Sequence, residues 1–277
     1  MILAVTDKCS MGCNHCLSDC KPDGKHITFD QLKKNIEFCL PLTMVQPMMI
    51  TGGEPFEHPD IKEILEYTMD RHIAYSKEIR RLCLPIAVIT NGYTLINNKD
   101  LFNWYMKFCE KYSNYITTQV TNVAKYYPKV LSKNELYWLG KIPHSFIETT
   151  EDCILLYPQG RALNLNEPYK TKGPKCCNAR ILAKQKRTDG NCIEGMDIYT
   201  LYEFISVILH KFCDPRINID GTIALGESRL CKPVGTVDDD PKVLFDKILN
   251  FDCYACKEAI AVMKETSPMA YSLFCNE

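Results

Sequence analysis

The first half of the chain alternates short apolar runs with longer amphipathic stretches, and this alternation constrains the fold more than any other feature. Strand-like runs stand at "MILAVT", "QPMMITGG", "LPIAVITNG" and "YITTQVT". Between them lie "TFDQLKKNIEFCL", "HPDIKEILEYTMDRHI" and "NKDLFNWYMKFCEKY", each with apolar residues at helical spacing, and the first has Thr28 placed as its cap. Such alternation is the signature of β/α units and a parallel sheet. A further helix is expected around "SKNELYWLGK", and the next strand at either "HSFIETT" or "CILLYP".

From about residue 158 the pattern loosens. "PQGRALNLNEPYKTKGPKCC" is rich in turn formers, and "MDIYTLYEFISVILHKF" is a strongly apolar helix. "RINIDGTIALGE" then sets two short alternating runs around Asp220-Gly221, a hairpin signal because that dipeptide tolerates positive φ. The expected division is residues 1–195 as an α/β domain and 196–277 as a small α+β hairpin-and-helix module. With 46% hydrophobic residues in 277, one main core and one satellite suffice. The formal net charge of −1 offers no broad basic surface, which argues against nucleic acid and anionic membranes as partners. No apolar run reaches the length of a membrane span and no secretory signal opens the chain, so a soluble, cytoplasmic protein is expected.

The chain holds 16 cysteines. In a reducing compartment these are metal ligands or small core residues rather than disulfides. "CSMGCNHC" places Cys9, Cys13 and Cys16 on one short loop directly after the first strand, with Gly12 to let the chain wrap. Three thiolates on one loop suit a cubane iron–sulfur cluster with one iron left without a protein ligand. A zinc site is the alternative, with His15 or Cys20 as its fourth ligand.

The spacing C-x₃-C-x₂-C after a first strand, followed by "TGGEP" at the end of the second, resembles the radical S-adenosylmethionine (SAM) superfamily. The resemblance covers roughly residues 1 to 160. It implies a partial (β/α)6 TIM-like barrel with its active groups at the carboxyl ends of the strands. It further implies a 4Fe-4S cluster whose open iron chelates SAM. Gly52 and Gly53 would let backbone approach the methionyl ammonium, and Glu54 would offer it a carboxylate. "TNG", with Asn91, looks like the family's third-strand ending, although it could equally be a plain turn. Gln119, Thr121 and Arg161 would lie near the cofactor; a surface salt bridge is the competing role for Arg161.

The later cysteines also follow a pattern. Cys213, Gly226 and Cys231 fit C-x₁₂-G-x₄-C around the hairpin, and "CYAC" adds Cys253 and Cys256. This resembles the twitch module that carries an auxiliary 4Fe-4S cluster after many radical SAM barrels. The longer SPASM version needs further cysteines after "CYAC", and only Cys275 follows. A zinc ribbon is the alternative, and Cys192 could replace Cys213. Cys176 and Cys177 are expected to be loop or core thiols, and Cys39, Cys83 and Cys109 to be core. His26, His58 and His72 lack metal spacing and read as surface or packing residues, and "KYYPK" reads as a solvated helix end.

The resemblance implies reductive cleavage of SAM to a 5′-deoxyadenosyl radical, which abstracts a substrate hydrogen. With the auxiliary cluster as electron acceptor, the expected outcome is oxidation or cross-linking of a small polar metabolite or a peptide side chain. An external donor such as a flavodoxin or ferredoxin would supply the electron. The alternatives are an iron–sulfur scaffold or electron-transfer partner that does not turn over SAM, and a zinc-binding interaction protein.

Overall fold

A computed structural model describes residues 1–44, 46–122, 126–149, 161, 215–225 and 233–249. Strands β1 (Ile2–Thr6), β2 (Met49–Gly52), β3 (Ile86–Thr90), β4 (Ile116–Asn122) and β5 (Ser145–Thr149) pair in parallel, each with the next. The helical crossovers are α1 (Phe29–Cys39), α2 (Ile61–Glu78), α4 (Lys99–Lys111) and α5 (Lys133–Leu139). The "HSFIETT" alternative supplies β5, whereas "CILLYP" lies outside the described residues. A short helix, α3 (Tyr93–Asn97), follows β3 directly and escapes a periodicity reading because it is barely one turn long.

The helix starts are chemically specified. Thr28 caps α1 by accepting from the Gln31 amide, and Ser132 with Glu135 forms a reciprocal capping box on α5. On α1, Leu32, Asn35, Ile36 and Cys39 are buried, the stripe that i, i+3, i+4, i+7 spacing dictates. Every residue of β1 is buried, as for a central strand covered on both faces. Core side chains include Leu3, Ile50, Val88, Tyr105 and Val120, and each such side chain contributes on the order of 1.5–3 kcal/mol by leaving water. Cys39 and Cys109 belong to this core. Cys83 does not: it is only partly buried, in the connection ahead of β3, because the strand begins three residues later at Ile86.

The Asp220-Gly221 hairpin forms as expected, between β6 (Pro215–Ile217) and β7 (Thr222–Leu225), with Gly221 at φ 80°. The hairpin does not stand apart from the first five strands: β6 pairs in parallel with β1, so the described strands form one sheet in the order β5-β4-β3-β2-β1-β6-β7-β8, where β8 is Gly235–Thr236. The opposite edge of β1 was open and apolar, and a hairpin bearing Ile217 and Ile223 buries itself there. Asn35 of α1 fastens it, donating from Nδ2 to the Asn218 carbonyl at 3.0 Å. Helix α6 (Pro241–Leu249) follows. No helix among the described residues is long and apolar enough to cross a membrane.

Candidate active site

Parallel strands bring all their carboxyl ends to one rim of the sheet, and there the quoted motifs meet. The chain leaving β1 does not wander. Asp7 N–H donates to the Lys25 carbonyl at 2.8 Å, Cys9 N–H to Lys21 at 2.9 Å, and Ile27 N–H to Val5 at 3.0 Å. These bonds close residues 7–27 into a stem whose tip carries Cys9, Cys13 and Cys16. At the entrance of the tip, the Glu57 carboxylate accepts from the Ser10 amide at 2.9 and 3.0 Å and from its hydroxyl at 2.8 Å.

"GGEP" locks onto the base of this stem. Gly53 N–H donates to Thr6 O at 2.6 Å and Glu54 N–H to Lys8 O at 2.8 Å. A Cβ on Gly52 would overlap Thr6 O, and one on Gly53 would overlap Lys8 O, both backbone atoms that cannot swing aside. In the described residues, then, the missing side chains first permit strand-to-loop packing.

Glu54 is 0% exposed. Its Oε1 accepts from Thr90 Oγ1 at 2.6 Å and from the Phe56 amide at 3.2 Å, and its Oε2 from the Asn91 amide at 2.8 Å. Burial pushes its carboxyl up to about 7 despite these donors. The same Asn91 extends Nδ2 toward Cys9 Sγ at 3.9 Å. "TNG" is therefore more than a turn: Thr90 and Asn91 tie the buried carboxylate to the cysteine loop. Thr121 joins the rim, with its hydroxyl 3.4 Å from the Thr90 carbonyl and 3.2 Å from the Tyr127 hydroxyl. Gln119 sits two residues earlier on the same face of β4, in register with Ile89 and Phe146.

The three thiols differ in character. Burial pushes Cys9 up to about 11 and Cys13 up to about 12, the latter raised further by Cys9 and Cys16, so the sulfurs feel one another. Cys16 goes the other way, down to about 6, chiefly through a hydrogen bond from the Cys20 side chain, with the Cys20 amide, 3.4 Å from Cys16 Sγ, adding to it. Cys20 Sγ also lies 3.4 Å from the Gly52 carbonyl. His15 is engaged with aromatic rings, those of Tyr126 at 5.2 Å and Tyr127 at 5.4 Å, and burial, with Arg161 adding to it, holds it down to about 4.

Among the described residues, no three His, Cys, Asp or Glu side chains stand where they could share a single metal ion. A cubane asks for something different, one thiolate at each of three iron corners rather than three donors converging on one point. Three neighbouring soft thiols on one loop fit that donor set. Loading it would expel the protons of Cys9 and Cys13.

Arg161 lies against the cysteine loop, and it also makes an ion pair, the competing role considered for it. Its Nε donates to Cys13 O at 2.9 Å, and its Nη1 to Cys20 O at 2.6 Å and to Asp19 Oδ1 at 3.0 Å. Tyr126 and Tyr127 come from outside the expected set. Tyr126 to Lys129 of "KYYPK" lie in the connection between β4 and α5 and not at a helix end, and their signal was an aromatic doublet just past a strand's carboxyl end. His58 and His72 are buried packing residues, 5% and 0% exposed. Cys213, Gly226, Cys231, Cys253 and Cys256, like Cys176, Cys177, Cys192 and Cys275, lie outside the described residues.

Residues 3–120 match the Radical SAM superfamily. The antilisterial bacteriocin subtilosin biosynthesis protein AlbA of Bacillus subtilis (strain 168) is 32% identical over 98 residues, which is 35% of this chain but only 19% of AlbA. The structure of anSMEcpe with bound AdoMet aligns at a TM-score of 0.53 and 11% identity, covering 99% of this chain and 98% of that one. Streptococcus suis SuiB bound to S-adenosylmethionine aligns at 0.50 and 14%, covering 93% and 71%. At such identities the likeness speaks for the fold, an α/β architecture with a mostly parallel sheet like that of radical SAM barrels. The match over residues 3–120 falls on the strands and loops that carry Cys9, Cys13, Cys16 and Glu54, so this segment is similar to a radical SAM domain.

Proposed function

We propose that the protein is a radical SAM enzyme that oxidises or cross-links its substrate, with Cys9, Cys13 and Cys16 holding the SAM-binding 4Fe-4S cluster. The observation that carries this reading is the coupling of three separate motifs through one buried carboxylate. Glu54 of "GGEP" is bound by Thr90 and Asn91 of "TNG", and Asn91 turns to Cys9. When bound, the cluster and SAM supply a carbon-centred radical able to take hydrogen from an unactivated carbon; the protein's part is to bind, orient and exclude water.

Three donors from described residues occupy Glu54, leaving one lone pair on Oε2, and that is the position assigned to the methionyl ammonium. Tyr127, whose phenol feels the charges of Cys13, Glu54 and Cys9, borders this group of side chains. Thr121 and Gln119 line the adjoining face of β4.

We assign Cys213, Cys231, Cys253 and Cys256 to an auxiliary 4Fe-4S cluster that accepts the substrate's electron, within a module spanning residues 196–277. An external flavodoxin or ferredoxin would reduce the first cluster, in the cytoplasm. The relative named for bacteriocin biosynthesis favours a peptide side chain over a small polar metabolite as substrate. Anaerobic reconstitution tests the reading: about eight iron per chain together with 5′-deoxyadenosine from SAM is expected. Iron uptake without SAM cleavage would favour a scaffold or electron-transfer role, and stoichiometric zinc without cluster absorbance would refute both.

A further inference from the structure

The carbonyls of Cys13, Cys16 and Cys20 belong to the cysteine loop, outside the described helices and strands. One residue, more than 140 positions later in the chain, reaches all three. Arg161 donates its backbone N–H to Cys16 O at 3.1 Å, its Nε to Cys13 O at 2.9 Å, and its Nη1 to Cys20 O at 2.6 Å and to Asp19 Oδ1 at 3.0 Å.

The ion pair alone explains little, because Arg161 and Asp19 side chains are 24% and 42% exposed, and half-exposed pairs contribute little. The carbonyl contacts are different. They pin both flanks of Cys16, where the loop's own turn bonds are long: Cys16 N–H to Cys13 O at 3.2 Å and Asp19 N–H to Cys16 O at 3.4 Å. The loop also turns at Asp19, whose backbone is left-handed at φ 48°, a conformation Asp takes more readily than most residues, and whose carboxylate lies 3.0 Å from Arg161 and 3.6 Å from Lys21.

We infer that Arg161 is a positioning residue that straps residues 13–20 into the shape in which the Cys13 and Cys16 thiols are presented to the cluster. It acts through the loop backbone rather than by touching SAM. This rests on the cluster reading above. The planar fork matters: Nε and Nη1 diverge toward Cys13 O on one side and Cys20 O and Asp19 on the other, a span that a single lysine ammonium cannot cover.

The full-length chain, wild type and with Arg161→Lys or Arg161→Ala, separates the alternatives. In the metal-free protein, hydrogen exchange of amides in residues 13–20 should accelerate in both variants while β1 to β4 stay protected; unchanged protection of the loop overturns the proposal, whether or not iron binds. After anaerobic reconstitution, iron release to a ferrous chelator should speed up by about 10–100-fold, the range seen when groups behind metal ligands are removed. SAM affinity per loaded cluster should hold within about twofold by the same reasoning, since the strap lies behind the ligands. Wild-type iron release with weakened SAM binding would instead make Arg161 a ligand contact and overturn the strap. A wild-type chain that takes up no iron would refute the cluster reading, while the exchange result would still decide the strap.

Discussion

Glu54→Gln isolates the cost of holding a carboxylate in the centre of this site. The side chain is 0% exposed, and burial moves its proton loss from the ordinary 4.5 up to about 7. The folded state therefore binds the proton over a range in which the unfolded chain has lost it, so stability is full below pH 4.5 and falls as pH rises through about 7. At about 1.4 kcal/mol per pH unit, the fall is about 3 kcal/mol. Glutamine has the same shape but does not titrate. It offers one oxygen where Glu54 offers two, so whichever way it sits, the Asn91 amide or the Thr90–Phe56 pair faces an NH₂ group. That mismatch costs about 1–3 kcal/mol at every pH. Urea unfolding of the metal-free proteins from pH 4.5 to 8 should thus show the variant as the less stable at the acid end. The gap should then close, or reverse, by about 3 kcal/mol as pH passes 7. Other titrating groups cancel in the difference. Parallel stability curves for the two proteins would show that Glu54 keeps an ordinary carboxyl, and the account of its burial would be refuted.

Two further substitutions probe the frame around the site. Gly53→Ala should cost about 1–3 kcal/mol or more in urea unfolding, because its Cβ meets the fixed Lys8 carbonyl; an unchanged midpoint would show that the loop has slack. Asn35→Ala removes the bond to the Asn218 carbonyl, which still accepts from the Gly221 amide at 3.0 Å. The expected loss is about 1–2 kcal/mol with faster hydrogen exchange in β6 and β7 only, and unaltered exchange there would mean that sheet pairing alone holds the hairpin.

Much of the fold and part of the site were legible in the chain. Periodicity alone placed β1 to β4 and α1, α2, α4 and α5, because apolar faces repeat at the spacing of the element that must bury them. Thr28 marked a helix start for the same local reason: its side chain satisfies an amide that the helix leaves open. The cysteine spacing and "GGEP" singled out Cys9, Cys13, Cys16 and Glu54, since the residues that carry this chemistry are adjacent or nearly so. Cys83 and "KYYPK" show the limit, for local pattern placed one in the core and the other on a solvated helix end, and packing decided otherwise.

What the sequence determined by itself, therefore, is the set of elements, their parallel order and the chemistry of the β1 loop, all set by interactions a few residues long. Only the tertiary structure decided that the Asp220-Gly221 hairpin extends the main sheet beside β1, that Thr90 and Asn91 grip Glu54, and that Arg161 straps the cysteine loop. Each of these joins residues between 36 and more than 200 positions apart, and such pairings are selected by which buried carbonyl or open strand edge remains unsatisfied once the sheet has formed, a condition that no local stretch of sequence records.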